Sequence, residues 1–228
     1  MHIRGISAFW LKIIAIVAMT IAHVGFIFFP SHILMNAVGK LTFPIMSFLL
    51  VEGYRHTRDV KRYATRLFWF ALLSVVPFYL AFGWYFNVCF TLLASLLALY
   101  AADRQSSKIR RFLFVLLLSI LSLPCDWGFI GVWLTYMLYR SDNSKLKMVL
   151  SFIVFSILYA IYTYVFQALY YHSGFHITHY AGVPFLFGAL VLILCYNGRR
   201  GYPLKYFFYL YYPLHLFVLW LIYEFMVF

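Results

Sequence analysis

Two side chains suggest chemistry before any fold is considered. Lys12 and His23 sit in LKIIAIVAMTIAHVG, residues 11–25, an otherwise almost unbroken apolar run. On a helix, eleven residues at ~100° each return to within ~20° of the starting direction, so the two share a face, ~16 Å apart along the axis. An ionisable group inside an apolar helix of membrane length marks a functional site by default. An imidazole there suits a general base or a nucleophile.

A second set gathers where the chain is richest in lysine and arginine: Lys12, Glu52, Arg55, His56, Arg58, Arg66, Asn197, Arg199 and Arg200. Asn197-Gly198-Arg199-Arg200-Gly201 pairs two glycines, which admit close backbone approach, with two arginines, which suit phosphate. His215 joins this set, ~14 Å into the last apolar segment. Basic groups at one end and a histidine further in fit a phosphorylated carrier with a long reactive arm. Coenzyme A is such a carrier, and the span from Lys12 to His23 is of the order of an extended pantetheine arm.

The elements that must hold these residues are membrane helices. The 228 residues are 65% hydrophobic and 23% aromatic, with six acidic side chains, too much apolar surface for a soluble domain of this length. The apolar segments are continuous rather than alternating, which predicts an all-α polytopic bundle, not a β-barrel. About nine segments of near-spanning length can be marked, at 9–29, 33–53, 67–82, 87–102, 112–123, 127–139, 148–171, 182–196 and 206–227. No internal repeat or domain boundary is visible, so residues 1–228 read as one integral membrane domain.

Lysine and arginine fall in alternate connections: 55–66, 104–111, 140–147 and 199–205, together with the N-terminal Arg4 and Lys12. The intervening connections have none. By the positive-inside rule the basic side is cytoplasmic, placing the N-terminus inside a plasma or inner membrane. The net charge of +12 then reflects topology and anionic lipid headgroups rather than nucleic acid, for which there is no soluble basic domain. Lys40 alone lies deep within a span. Depth counting brings it near His23, Asn87 and Asp126 in the outer half, a candidate catalytic group. Cys89, Cys125 and Cys195 form no metal or disulfide framework. His172, His176 and His179 read as a polar interfacial loop rather than a metal site, so no metal is expected.

Six stretches carry a resemblance: LKIIAIVAMTIAHVG at 11–25, GKLTFPIMSFLLVEGYRHTRDVKRYATRL at 39–67, NVCFTLL at 87–93, DWGFIGV at 126–132, YNGRRG at 196–201 and FYLYYPLHL at 208–216. In this order they resemble the TraX family, integral membrane proteins named for the acetylase of conjugative F-type pilin. The resemblance implies transfer of an acetyl group from acetyl-coenzyme A, with a pilin N-terminal amine as the founding acceptor; a cell-surface glycan or small molecule is equally compatible. Lys12 and His23 also look like the basic residue and histidine of membrane acyltransferases that O-acetylate glycans, although those usually have arginine at the position of Lys12. Many TraX-like sequences place an acid just before the histidine, where this chain has Ala22, so Asp126 is the first candidate to orient His23.

The expected mechanism follows. Lys12, Arg55, Arg58, Arg199 and Arg200, with Arg66, Asn197 and His215 nearby, hold the carrier. His23 is the base or the acyl acceptor, and Lys40 or Asn87 stabilises the oxyanion. A transporter using the buried histidine and lysine as a proton or ion relay is the alternative, and a non-catalytic assembly factor a third reading.

Overall fold

The computed structural model describes residues 5–83, 86–170 and 180–227. His172, His176 and His179 lie outside the described residues. Those described are almost entirely helical, with two isolated bridges, Ile6–Tyr196 and Phe86–Cys125, as the extended contacts.

All nine expected segments are helical, but two are broken. Helix α1 is Ala8–Phe28. The second segment divides into α2 (Ile33–Val38), a 3-10 turn at Gly39–Leu41 and α3 (Thr42–His56). The third begins earlier than the apolar run suggests, at Val60, because Asp59 caps α4 (Val60–Leu73) by accepting from the Arg62 amide at 2.9 Å. It bends by 42° into α5 (Val75–Phe82). At the bend the Ser74 hydroxyl donates to the Phe70 carbonyl at 2.7 Å, and Pro77 in the first turn of α5 has no amide to continue the ladder. Then come α6 (Val88–Asp103), α7 (Lys108–Leu121), α8 (Gly128–Arg140), α9 (Lys145–Tyr170), α10 (Val183–Leu194) and α11 (Lys205–Val227).

Among the described residues, four helical stretches are long and apolar enough to cross a membrane, or five if the bent pair counts as one span. The remaining helices are shorter, down to the 12 residues of α10, or ~18 Å of rise against a hydrocarbon layer of ~30 Å.

The centre is a cluster of Leu11, Ala15, Phe43, Phe48, Leu96, Leu134, Phe152 and Leu186 from α1, α3, α6, α8, α9 and α10. A smaller cluster of Ile16, Met19, Phe78, Tyr212 and Leu216 joins α1, α5 and α11. Helix α1 therefore buries one side and turns Trp10, Val17 and Phe26 outward, as a helix at a bundle edge facing lipid does. Two buried hydroxyls bond within their own helix, Thr135 to Gly131 O at 3.0 Å and Ser119 to Val115 O at 2.7 Å, which satisfies them without water. The chain is a multi-pass membrane protein.

Candidate functional site

Helices α1 and α11 run in parallel and meet along a seam. Lys12 Nζ lies 5.2 Å from the Phe208 ring centroid. Further along, Thr20 Oγ1 and the Tyr211 hydroxyl are 2.8 Å apart. Beyond them His23 Nδ1 lies 2.8 Å from His215 Nε2, the two rings stacked with an interplanar angle of 7°. The Phe82 ring covers His23 from α5 at 5.0 Å.

The hydrogen bonds fix the tautomers. His215 Nδ1 is 2.8 Å from the Tyr211 carbonyl oxygen, which can only accept, so Nδ1 carries the proton. In a neutral ring Nε2 of His215 must then accept, and His23 Nδ1–H donates to it. His23 Nε2 is left with its lone pair. His215 thus does for His23 what a carboxylate does in a catalytic triad: it selects the tautomer and holds the ring. His215 is buried and His23 half-buried.

On the side carrying the basic residues, a cavity of about 520 Å³ enters the bundle between α1, α3, α4, α6 and α11. Lys12, Arg66 and Arg200 line it with His56, against the single acidic group Glu52. Arg66 is held in place: its Nε donates to the Tyr209 hydroxyl at 3.2 Å, and its guanidinium lies over the Tyr63 and Tyr209 rings. Arg200 is delivered by the turn at 196–201. Asn197 Nδ2 donates to Gly5 O, its Oδ1 accepts from the Arg199 amide, and Gly201, at φ 71°, has room for no side chain beside Phe9 and Ser7. The cavity reaches Met19, Val88, Cys89 and Tyr212. Met19 is one helical turn from His23, so the floor lies between the cavity and the imidazole pair.

The structure divides the residues marked from sequence. Lys12, Arg66 and Arg200 share the cavity. Arg55 turns away: it donates to Tyr139 O at 2.8 Å and to Asn143 Oδ1, and lies 3.6 Å from Glu52 and 3.9 Å from Asp142. Arg58 and Arg199 are exposed outside the cavity lining. Asn197 shapes the turn rather than facing the cavity.

In the outer set, Asn87 is fully buried and caps α6. Its Oδ1 accepts from the Cys89 amide at 3.0 Å and its Nδ2 donates to Ala71 O at 2.8 Å. Lys40 Nζ lies 4.8 Å from the Trp127 ring and 5.6 Å from Tyr159, turned from the seam toward α8 and α9. Asp126 accepts from Thr91 through its backbone carbonyl, and its amide donates to Phe86 O. The group that orients His23 is therefore His215, not Asp126, and His215 belongs with His23 rather than with the carrier set. The rise per residue held that signal: His23, twelve residues past Leu11, lies ~18 Å into its segment and His215 ~14 Å into its own, counted from the same basic side, a difference of less than one turn. Tyr63, Tyr209 and Tyr212 had no distinguishing sequence mark in a chain with 20 tyrosines. Among the described residues no three His, Cys, Asp or Glu side chains gather as metal ligands.

The fold is that of a helical multi-pass membrane protein with a paired imidazole beyond a cation-lined cavity. The chain belongs to the TraX family: the family profile described as "TraX protein" matches residues 7–223. It is similar to a protein of Dichelobacter nodosus named "Probable fimbrial assembly protein FimC, serogroup H1", with 32% identity over 230 residues, 92% of this chain and 93% of that protein. No solved structure matches.

Proposed function

We propose that this protein is an acetyltransferase of the cell membrane that moves an acetyl group from cytoplasmic acetyl-coenzyme A to an amine or hydroxyl on the outer side. The observation that carries the reading is the His23–His215 pair, which leaves one imidazole nitrogen unprotonated just beyond a cavity whose mouth is cationic. The alternation of basic connections supports a cytoplasmic N-terminus and cavity mouth.

The carrier phosphates rest against Lys12, Arg66 and Arg200, and the arm follows α1 toward Met19. His23 Nε2 takes the proton of the acceptor as the acceptor attacks the thioester carbon. The C–S bond breaks, and the thiolate leaves with that proton. In the conformation described, Met19 and Tyr212 close the floor, so transfer requires that floor to open. The acceptor class is that of surface appendages, a pilin-like subunit or a surface glycan; the name of the Dichelobacter relative favours the fimbrial subunit.

Acetyl-coenzyme A and coenzyme A should each raise the melting temperature of the protein in detergent. His23→Ala should keep that rise and lose the acetyl mark, read by intact mass of pilin-like subunits and surface glycans from cells with either form. Stabilisation by neither compound, or a normal mark with His23→Ala, overturns the proposal. The relative's name also favours a second reading, a non-catalytic assembly role, in which His23→Ala leaves fimbriation unchanged.

A further inference from the structure

The cavity floor carries a polar group that the mechanism above has not used. Tyr212 projects from α11 and is 7% exposed. Its hydroxyl is buried with no hydrogen-bond partner among the described residues, although it lines the cavity. Leaving such a group unmatched is costly, which points to an acceptor atom arriving from the cavity.

The neighbours specify what kind of atom. The 16-residue helix α6 begins at the same floor, with Val88 and Cys89 in the lining. The Asn87 side chain occupies the Cys89 amide, and the Val88 amide lies against the Tyr212 hydroxyl oxygen; an amide N–H can only donate, so the O–H proton still has no acceptor. The positive end of α6 and an O–H donor thus converge, a setting for an oxygen that gains negative charge. The Tyr212 ring lies 5.8 Å from His215, which holds His23. An oxygen bound there would lie on the side of the floor nearest the imidazole pair.

We propose that the cavity floor is a carbonyl subsite, in which Tyr212 Oη–H donates to the thioester oxygen of the bound acyl carrier beside the amide end of α6. The inference rests on the acyl-transfer reading. As the acceptor atom bonds to the carbonyl carbon, the π pair moves onto the oxygen held by Tyr212. Collapse restores the C=O bond and expels the thiolate, which takes the proton from His23. The subsite recognises the acyl group itself, so the protein should distinguish the loaded carrier from the spent one.

The test needs no acceptor. Affinities of acetyl-coenzyme A and coenzyme A are measured by titration of the whole protein in detergent, for wild type and for Tyr212→Phe, which keeps the ring and removes only the hydroxyl. Wild type should prefer acetyl-coenzyme A by about five-fold, the worth of one hydrogen bond. Tyr212→Phe should bind both equally, at the wild-type affinity for coenzyme A. Equal binding of both by wild type, or a preference kept by Tyr212→Phe, overturns the subsite while leaving the acyl-transfer reading in place. Binding of neither compound by wild type overturns both.

Discussion

The two arginines that begin the basic stretch after the second segment and end it, Arg55 and Arg66, are equivalent on paper and opposite in the fold. Arg55 is spent on the protein, its guanidinium fixed to Tyr139 O, Asn143, Glu52 and Asp142. Arg66 is aromatic-braced and faces an open cavity. Lys12 and Lys40 both lie over aromatic rings, Phe208 for the first and Trp127 and Tyr159 for the second; they differ in that Lys12 lines the cavity and Lys40 does not. A cation serves a ligand when its neighbours set its position yet leave its face toward open space; where protein oxygens surround it, it holds helices together.

Three substitutions probe the contrast between residues that act and residues that brace. His215→Ala should have the largest effect. On the acyl-transfer proposal, His23 without its acceptor loses both ring orientation and tautomer, and acetyl transfer should fall by ~10⁴-fold, as when the orienting member of a triad is altered. Carrier binding should be unaffected, because His215 lies outside the cavity lining; transfer near the wild-type rate would dissolve the pair. Arg66→Ala should come next, weakening coenzyme A by roughly 10-fold, the loss of a charge-assisted contact to phosphate. Titration in detergent reads this, and unchanged affinity would remove Arg66 from the carrier site. Arg55→Ala should be the smallest. Affinity should stay at the wild-type value while the melting temperature drops by a few degrees, since only contacts among α3, α8 and the following turn are lost. A loss of affinity matching that of Arg66→Ala would erase the distinction.

Much of the fold was legible because lipid imposes simple demands. An apolar run must satisfy its backbone internally, so it becomes a helix, and all nine marked segments are helical. The breaks were harder to see. Ser74 interrupts a run that is otherwise apolar, and Gly39–Leu41 holds the single lysine of its span between long apolar flanks, so hydropathy passes over both. The start of α4 at Val60 was also hidden, because Asp59 caps a turn whose side chains are charged.

The site divides in the same way. Lys12, His23, Arg66 and Arg200 could be picked from type and spacing. Asn87 could not be told from a catalytic amide, since capping and oxyanion binding use the same group and differ only in what it meets. The pairing of His23 with His215 spans nearly the whole chain and depends on α1 and α11 lying parallel.

What the sequence by itself determined is the chemistry available: which segments are helical, which ends are basic, and which histidines lie within apolar segments. Each follows from local composition and a fixed rise per residue. Only the tertiary structure decided which polar groups face one another, and so which are occupied by protein and which are left for a ligand. The physical reason is that a hydrogen bond is directional and short. Depth and type bring two groups to the same layer, but packing of whole helices sets the rotation that makes them meet.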